Sequence, residues 1–348
     1  MTSDGRGIAT ILRAGARAPI GLSRLQVAMN VRAERLDPRP CTFKDKRGQI
    51  IGSCRVGGLP LDVVGHDRLL GLAAPALREA WPAEYTSSLP LVLALPEAGR
   101  PDDDARYGPA FIDALRAKSR CPIDLQRSTV VRAGHAGFVV ALEMAADMLH
   151  KAGLGQTPPA VVVGGVDSYH HEGVLQWLDA DHRLHAAGTE NGMVPSEGAG
   201  FAVLLRAGTK LQGASSDEQP LGRITTIRTG REESALMGRP NLAEALTQIV
   251  QDIAVQGGPL SWVLTDLNGE RNRNKEWAQV ALRGVLAENA IQSTPAQMLG
   301  DTGAATGALL LAIACTYFAT GAAPVTRAAV VLQSEGPERG AFLLEEAS

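Results

Sequence analysis

Histidine is missing from the second half of this chain. All seven copies, His66, His135, His150, His170, His171, His182 and His185, precede residue 186. Whatever happens in the remaining residues has no imidazole to use as a base near neutral pH. Cysteine is also scarce: Cys41, Cys54, Cys121 and Cys315 lack paired spacing, and no histidine beside Cys41 or Cys54 suggests zinc. Reduced thiols in a cytoplasmic protein are expected. There is no excess of positive charge, since the net charge is −3, so neither nucleic acid nor an anionic membrane is an expected partner. The opening "MTSDGRGIATILRAGA" lacks the basic-then-apolar pattern of a signal peptide.

Charge is absent from one long run, Thr302 to Thr326, which is long enough to span a bilayer. Gly303, Thr306, Gly307, Thr316 and Gly321 dilute its apolarity, and Pro324 closes it. A buried central helix is the expectation, because a helix apolar all round needs a core or a bilayer. What is present fits a soluble globular protein: 348 residues, 45% hydrophobic and 20% charged. Strand-like runs occur at Ile8–Leu12, Leu91–Leu95, Ser128–Arg132, Ala160–Val166, Gly200–Leu205, Ile224–Ile227, Trp262–Leu267, Ala328–Leu332 and Ala341–Leu344. Helical patterns cover Gly108–Ala117, Gly137–Lys151, Ala243–Val255, Lys275–Leu286 and Ala304–Phe318. The alternation predicts an α/β protein with largely parallel sheets.

The chain repeats itself. "AGHAGFVVALEMAADMLHKAG", "PAVVVGGVDS" and "EGAGFAVLLRA" are answered by "LGDTGAATGALLLAIACTYFATG", "RAAVVLQSEG" and "ERGAFLLEEA". The offset is 166 from residue 135 to 301 at the turn, and 169 from 160 to 329 at the next strand. Residues 1–206 and 222–348 therefore read as two halves joined by the polar linker 207–221. Two apolar helices facing each other between two sheets make a five-layer sandwich.

Several ordered motifs carry a resemblance over nearly the whole chain. "GIATILRAGARAPIGLS" resembles an opening strand and Gly-rich turn, and "HDRLLGLAAPALREA" a first long helix. "VVVGGVDSY" and "ENGMVPSEGAGFAVLLRA" follow, with Ser196-Glu197-Gly198-Ala199-Gly200 standing for a Gly-Glu-Gly-Ala-Gly hairpin. "WVLTDLNGERNRNKEW" and "GDTGAATG" sit where two histidine loops belong. The family is the thiolase superfamily, and within it the β-ketoacyl-ACP synthases. The resemblance implies a thiolase-like αβαβα sandwich built from duplicated halves. It also implies a dimer through edge strands, which places the contact at "SRCPIDLQRSTVV", residues 119–131.

The family's chemistry needs a thiolate at a helix N-terminus and two bases or donors beside it. The resemblance puts Gly134 at the nucleophile, Asn268 at the first histidine and Asp301 at the second. "SEGPERG", residues 334–340, replaces the gate loop of the acyl tunnel. Cys315 lies inside the apolar helix and Cys121 before the strand that leads to the turn. Asp301 reads as an N-cap whose pKa the helix dipole holds down. Asn268 can donate a hydrogen bond but cannot shuttle a proton, and Glu270, Arg271 and Arg273 beside it read as a solvated or interface loop. His135, at the positive end of a helix, tends to be neutral and has no orienting partner named by the sequence. His170, His171, His182 and His185, with Asp167, Asp179 and Asp181, form a cluster without recognised metal spacing.

No cofactor or metal is expected, and no catalytic residue beyond a residual role for His135. The resemblance then implies a degenerate synthase acting as a binding partner, in a homodimer or with a related thiolase-like subunit. Chain-length factors are one precedent. Accessory proteins that serve type VI secretion effectors are another, with an effector or adaptor as partner. The alternative is an acyltransferase of the 3-oxoacyl-ACP synthase class with residual acyl-transfer or decarboxylase activity, using His135, Asn268 and Asp301.

Overall fold

In a computed structural model the described residues are 8–347, apart from 37, 83, 151–156, 187, 188, 190, 214–218 and 238. The first part of the chain runs β1 (Ala9–Arg17), α1 (Arg24–Arg32), β2 (Arg39–Lys44), β3 (Ile50–Ser53), α2 (Gly65–Ala80), β4 (Leu91–Ala94) and α3 (Pro109–Ser119). It continues with β5 (Thr129–Val131), α4 (Gly137–His150), β6 (Ala160–Ser168), α5 (Glu172–Ala180) and β7 (Glu197–Arg206). The second part holds β8 (Gly222–Arg231), α6 (Ser234–Met237), α7 (Glu244–Gly257), β9 (Leu260–Thr265), α8 (Arg271–Ala281) and β10 (Leu286–Ser293). After α9 (Ala296–Leu299) come a 3₁₀ turn (Gly303–Ala305), α10 (Thr306–Ala319), β11 (Arg327–Gln333) and β12 (Glu338–Glu345).

Strand pairing shows the duplication directly. One set runs β5-β4-β6-β7-β1 and the other β10-β9-β11-β12-β8, joined where β1 meets β8. Each set has the same pattern of two parallel and two antiparallel ladders. The sheets are thus mixed, not largely parallel: the short β11–β12 reversal cannot make the crossover that a parallel pair requires, and β6 and β7, though joined by a longer connection, also run antiparallel.

Side-chain alternation along the strands sorts the core into layers. Val161 and Val163 face the central layer of α4 and α10, whereas Ala160 and Val162 face α2 and α3. In the second set Val330 and Leu332 face inward, and Ala329 and Val331 pack with α7 and α8. The order is helices, sheet, helices, sheet, helices. The uncharged run forms α10, buried from Thr306 to Thr316 and again at Phe318. Gly200 lets this helix lie close on β7, since a Cβ there would stand 2.8 Å from that of Ala308. Gly321 takes a positive φ of 65° and ends the helix. Among the described residues no helix is long and apolar enough to cross a membrane.

Three details depart from the sequence reading. The pattern Lys275–Leu286 is helical only to Ala281; Gly284, at φ 76°, breaks it, and Leu286 opens the polar edge strand β10. The β2–β3 hairpin and α5 are not among the elements expected from the sequence, although α5 buries Val174, Leu175 and Leu178 at helical spacing. Within the linker 207–221, residues 214–218 lie outside the described residues, while Leu211 is buried against the outer helices. Lys151 and the first seven residues also lie outside them.

Candidate functional site

The two repeated turns meet at the middle of the molecule. One leads from β5 into α4 and carries Gly134 and His135. The other leads from α9 into α10 and carries Asp301. His135 Nε2 lies 2.8 Å from Asp301 Oδ1, so residues at equivalent places in the repeat hydrogen-bond to each other. Asp301 Oδ1 also accepts the Gly303 N–H at 2.8 Å, and Oδ2 accepts from Asn268 Nδ2 at 2.5 Å. Arg273 Nη2 approaches His135 Nδ1 at 3.1 Å, and its Nη1 donates to Asp266 Oδ2 at 2.8 Å. His135, Asp301, Arg273 and Asp266 are all buried.

This chain of contacts sets the protonation pattern. Burial alone would raise the Asp301 pKa, but His135, Arg273 and Asn268 outweigh it and hold the carboxylate well below its usual range. Burial and Arg273 press His135 toward the neutral ring, and Asp301 offsets both, leaving its pKa above the usual histidine value. The partner missing from the sequence reading is therefore Asp301, whose charge opposes the tendency to neutrality expected from the helix end alone. Arg273 donates to a lone pair on Nδ1, which assigns the ring proton to Nε2, facing Asp301.

Gly134 adopts a positive φ of 61° at the tip of the turn. A Cβ there would come within 2.5 Å of Glu97 Oε2 and 3.1 Å of Ser334 Oγ. Ser334 accepts the Ala136 N–H at 2.9 Å, capping the start of the α4 turn from the short connection between β11 and β12. Glu97 accepts the Gly336 N–H at 3.0 Å. Burial and the nearby Glu335 raise its pKa. A cavity of ≈ 170 Å³ opens here, lined by Glu97, Arg100, His135, Asp167, Tyr169 and Glu335 among others. Arg100 holds Asp167 at 2.8 Å and Asp102 at 2.7 Å, and Asp167 accepts the Ala304 N–H at 2.9 Å. Above the cavity Arg183 grips both Glu270, at 2.6 Å from Nε, and Glu335, at 2.7 Å from Nη1.

The structure brings Gly134, His135, Asn268 and Asp301 to one place. The loop around Asn268 differs from the solvated stretch expected: Arg271 is exposed and opens α8, but Arg273 turns inward and Glu270 is half-buried. Cys315 sits in the body of α10, its thiol pushed up to about 12 by burial, and burial also raises Cys121. The histidine cluster is spread out. His170 is buried with Nε2 2.9 Å from the Cys54 carbonyl, and burial lowers its pKa to about 4. His182 and His185 do not share a helical face, because α5 ends at Ala180; His182 instead receives Lys46 Nζ at 3.0 Å. Among the described residues no three His, Cys, Asp or Glu side chains gather as metal ligands would. Glu97, Arg100 and Arg183 escaped the sequence reading, since a charge in a loop signals solvent until its distant partner is known.

No protein-family model matches the chain, and no curated protein matches it in sequence. Solved structures do match in three dimensions. The chain superposes over 98% of its length on 100% of the ishigamide ketosynthase/chain length factor, with TM-score 0.73 and 16% identity. On AntDE:AntF, a type II PKS acyl-carrier protein in complex with its ketosynthase, it covers 97% of this chain and 98% of that one, with TM-score 0.75 and 12% identity. The ketosynthase from module 6 of the bacillaene synthase of Bacillus subtilis 168 gives TM-score 0.72 and 14% identity over 98% of this chain and 72% of that one. The chain therefore has the thiolase-like ketosynthase fold.

Proposed function

We propose that this protein is a catalytically degenerate ketosynthase-fold subunit that works by binding another protein. The observation that carries the reading is at Gly134, the position the resemblance gives to the nucleophile. It has no side chain, and the Glu97 carboxylate occupies the adjoining space. The groups at the two histidine positions are already committed. Asp301 accepts three donors and stays ionised, which suits a cap and an ion-pair partner but not a general acid.

Partnership with a related thiolase-fold subunit fits the edge of the sheet. β5 ends its strand set, with Thr129 and Val130 half-exposed and one side of the strand unpaired among the described residues. Two of the similar structures include a chain length factor or an acyl-carrier protein complex, which supports a chain-length-factor-like subunit. An accessory role for a type VI secretion effector is the other form of the same reading. The identity of the partner decides between them. The test is co-expression with the products of neighbouring reading frames, followed by purification and native mass spectrometry. A complex of fixed stoichiometry, or a homodimer broken by a charge at Val130, is the expected result; a monomer with no partner would overturn the reading.

One observation favours a second reading, residual acyl transfer or decarboxylation. His135 borders a cavity and is held from behind by Asp301, as a base and its orienting group would be.

A further inference from the structure

We propose that the cleft between α8, residues 239–241 and the turn 334–339 binds a small organic carboxylate that carries a neutral amide. The inference goes beyond the partner-binding reading and does not depend on it. The cleft has a volume of ≈ 630 Å³. Gln333, the last residue of β11, lines it and is 1% exposed, yet neither its amide nitrogen nor its amide oxygen meets a protein partner. Its backbone is fully used: the N–H donates to Asp266, and the carbonyl accepts from Arg273. The preceding strand residues are apolar from Ala328 to Leu332, so an apolar side chain would suit position 333 at least as well. An unpartnered buried amide costs stability that a leucine there would avoid.

The mouth of the cleft supplies charge. Arg239 and Lys275 are exposed and have no ion-pair partner among the described residues. The three carboxylates that line the cleft are engaged with arginines of the same lining: Glu270 and Glu335 hold Arg183, and Glu276 holds Arg339. Arg239 and Lys275 thus remain unpaired around an opening whose floor offers one donor and one acceptor side by side. A primary amide complements that floor, because it presents an acceptor and a donor in the same plane. A carboxylate complements the rim. Glu335 separates this cleft from the cavity at His135, lining both.

Succinamate and glutaramate, each with one carboxylate and one amide, are the probes, with succinate and inorganic phosphate as comparators. They are titrated into the full chain by calorimetry. We expect saturable binding of at least one amide acid, weakened about tenfold in Gln333→Leu and in the double variant Arg239→Ala, Lys275→Ala. The unliganded Gln333→Leu protein should melt at the same temperature as the wild type or higher. Gln333→Met carries the same test if the branched side chain does not fit. Absence of saturable amide-acid binding up to about 10 mM overturns the proposal. So does equal affinity in the wild type and the Gln333 variants, or binding of phosphate alone.

Discussion

The two turns at the centre occupy equivalent places in the repeat but carry opposite chemistry. The first places Gly134 and an imidazole at the start of α4. The second places a carboxylate before α10, where it caps Gly303 and accepts from the imidazole of the first. The surrounding connections differ as well. Between β6 and β7 the chain makes α5 and a long excursion that brings Arg183 over the site, whereas β11 and β12 are joined by residues 334–337. Each half pins the start of its last strand with a buried Arg–Glu pair, but the charges are exchanged. In the first, Glu197 on β7 meets Arg68 on α2 at 2.5 Å; in the second, Arg339 on β12 meets Glu276 on α8 at 2.6 Å. Duplication preserved the frame, and the side chains at its centre became complementary to one another. A site whose charges satisfy each other has little left for a substrate.

The largest effect should come from breaking those anchors. Arg68→Met strands the Glu197 carboxylate, which otherwise also accepts from Ser168 and the Val56 N–H, and should cost about 3–5 kcal/mol in urea unfolding. Arg339→Met should cost a similar amount if the halves are anchored alike; a loss of under about 1 kcal/mol in one of them would show that only the other pair is structural. Asp301→Ala comes next, at about 2–4 kcal/mol, because it leaves His135 and the Gly303 N–H without their acceptor and Asn268 with Glu270 alone. Mutating the equivalent His135 to Ala should cost less, since Asp301 keeps two donors.

Gly134→Ala forces a Cβ onto a left-handed backbone and toward Glu97, and should cost about 1–3 kcal/mol. Adding Glu97→Ala should recover the steric share of that loss; no recovery in the double variant would mean that Glu97 does not fill the space. The smallest effect is that of Glu97→Gln. Because the folded pKa of Glu97 is raised, its ionised form is destabilising at neutral pH, and the penalty disappears below the unfolded carboxylate value. The variant should therefore melt higher than the wild type at pH 7 and equally at pH 4. A lower melting temperature at pH 7 would contradict the assignment.

Much of this organisation was readable from the residues in order. The uncharged run at 302–326 and the repeat offset at the turns indicated a buried helix and an internal duplication, because apolar periodicity and self-similarity are local signals. Gly134, His135 and Asp301 converge because equivalent turns of a duplicated unit face each other across its axis, and Asn268 joins them from the loop between β9 and α8. The Asp301 partner of His135 followed from that same offset but needed the geometry to be seen. Glu97, Arg183 and Arg273 were not readable: their partners lie far along the chain, and a polar loop looks alike whether it turns toward solvent or folds inward. The strand β10 was missed for a related reason, since an edge strand with polar side chains has no apolar alternation.

The central claim is that Gly134, where the resemblance puts the nucleophile, has no room for a side chain beside Glu97, and that the residues around it are spent on one another. Its most direct test is intact-mass spectrometry of the full chain after incubation with acyl- and malonyl-thioesters, with carbon dioxide release followed in parallel. The account predicts an unchanged mass and no release above the buffer control. An acyl adduct, or release that Asp301→Ala or His135→Ala abolishes, would contradict it.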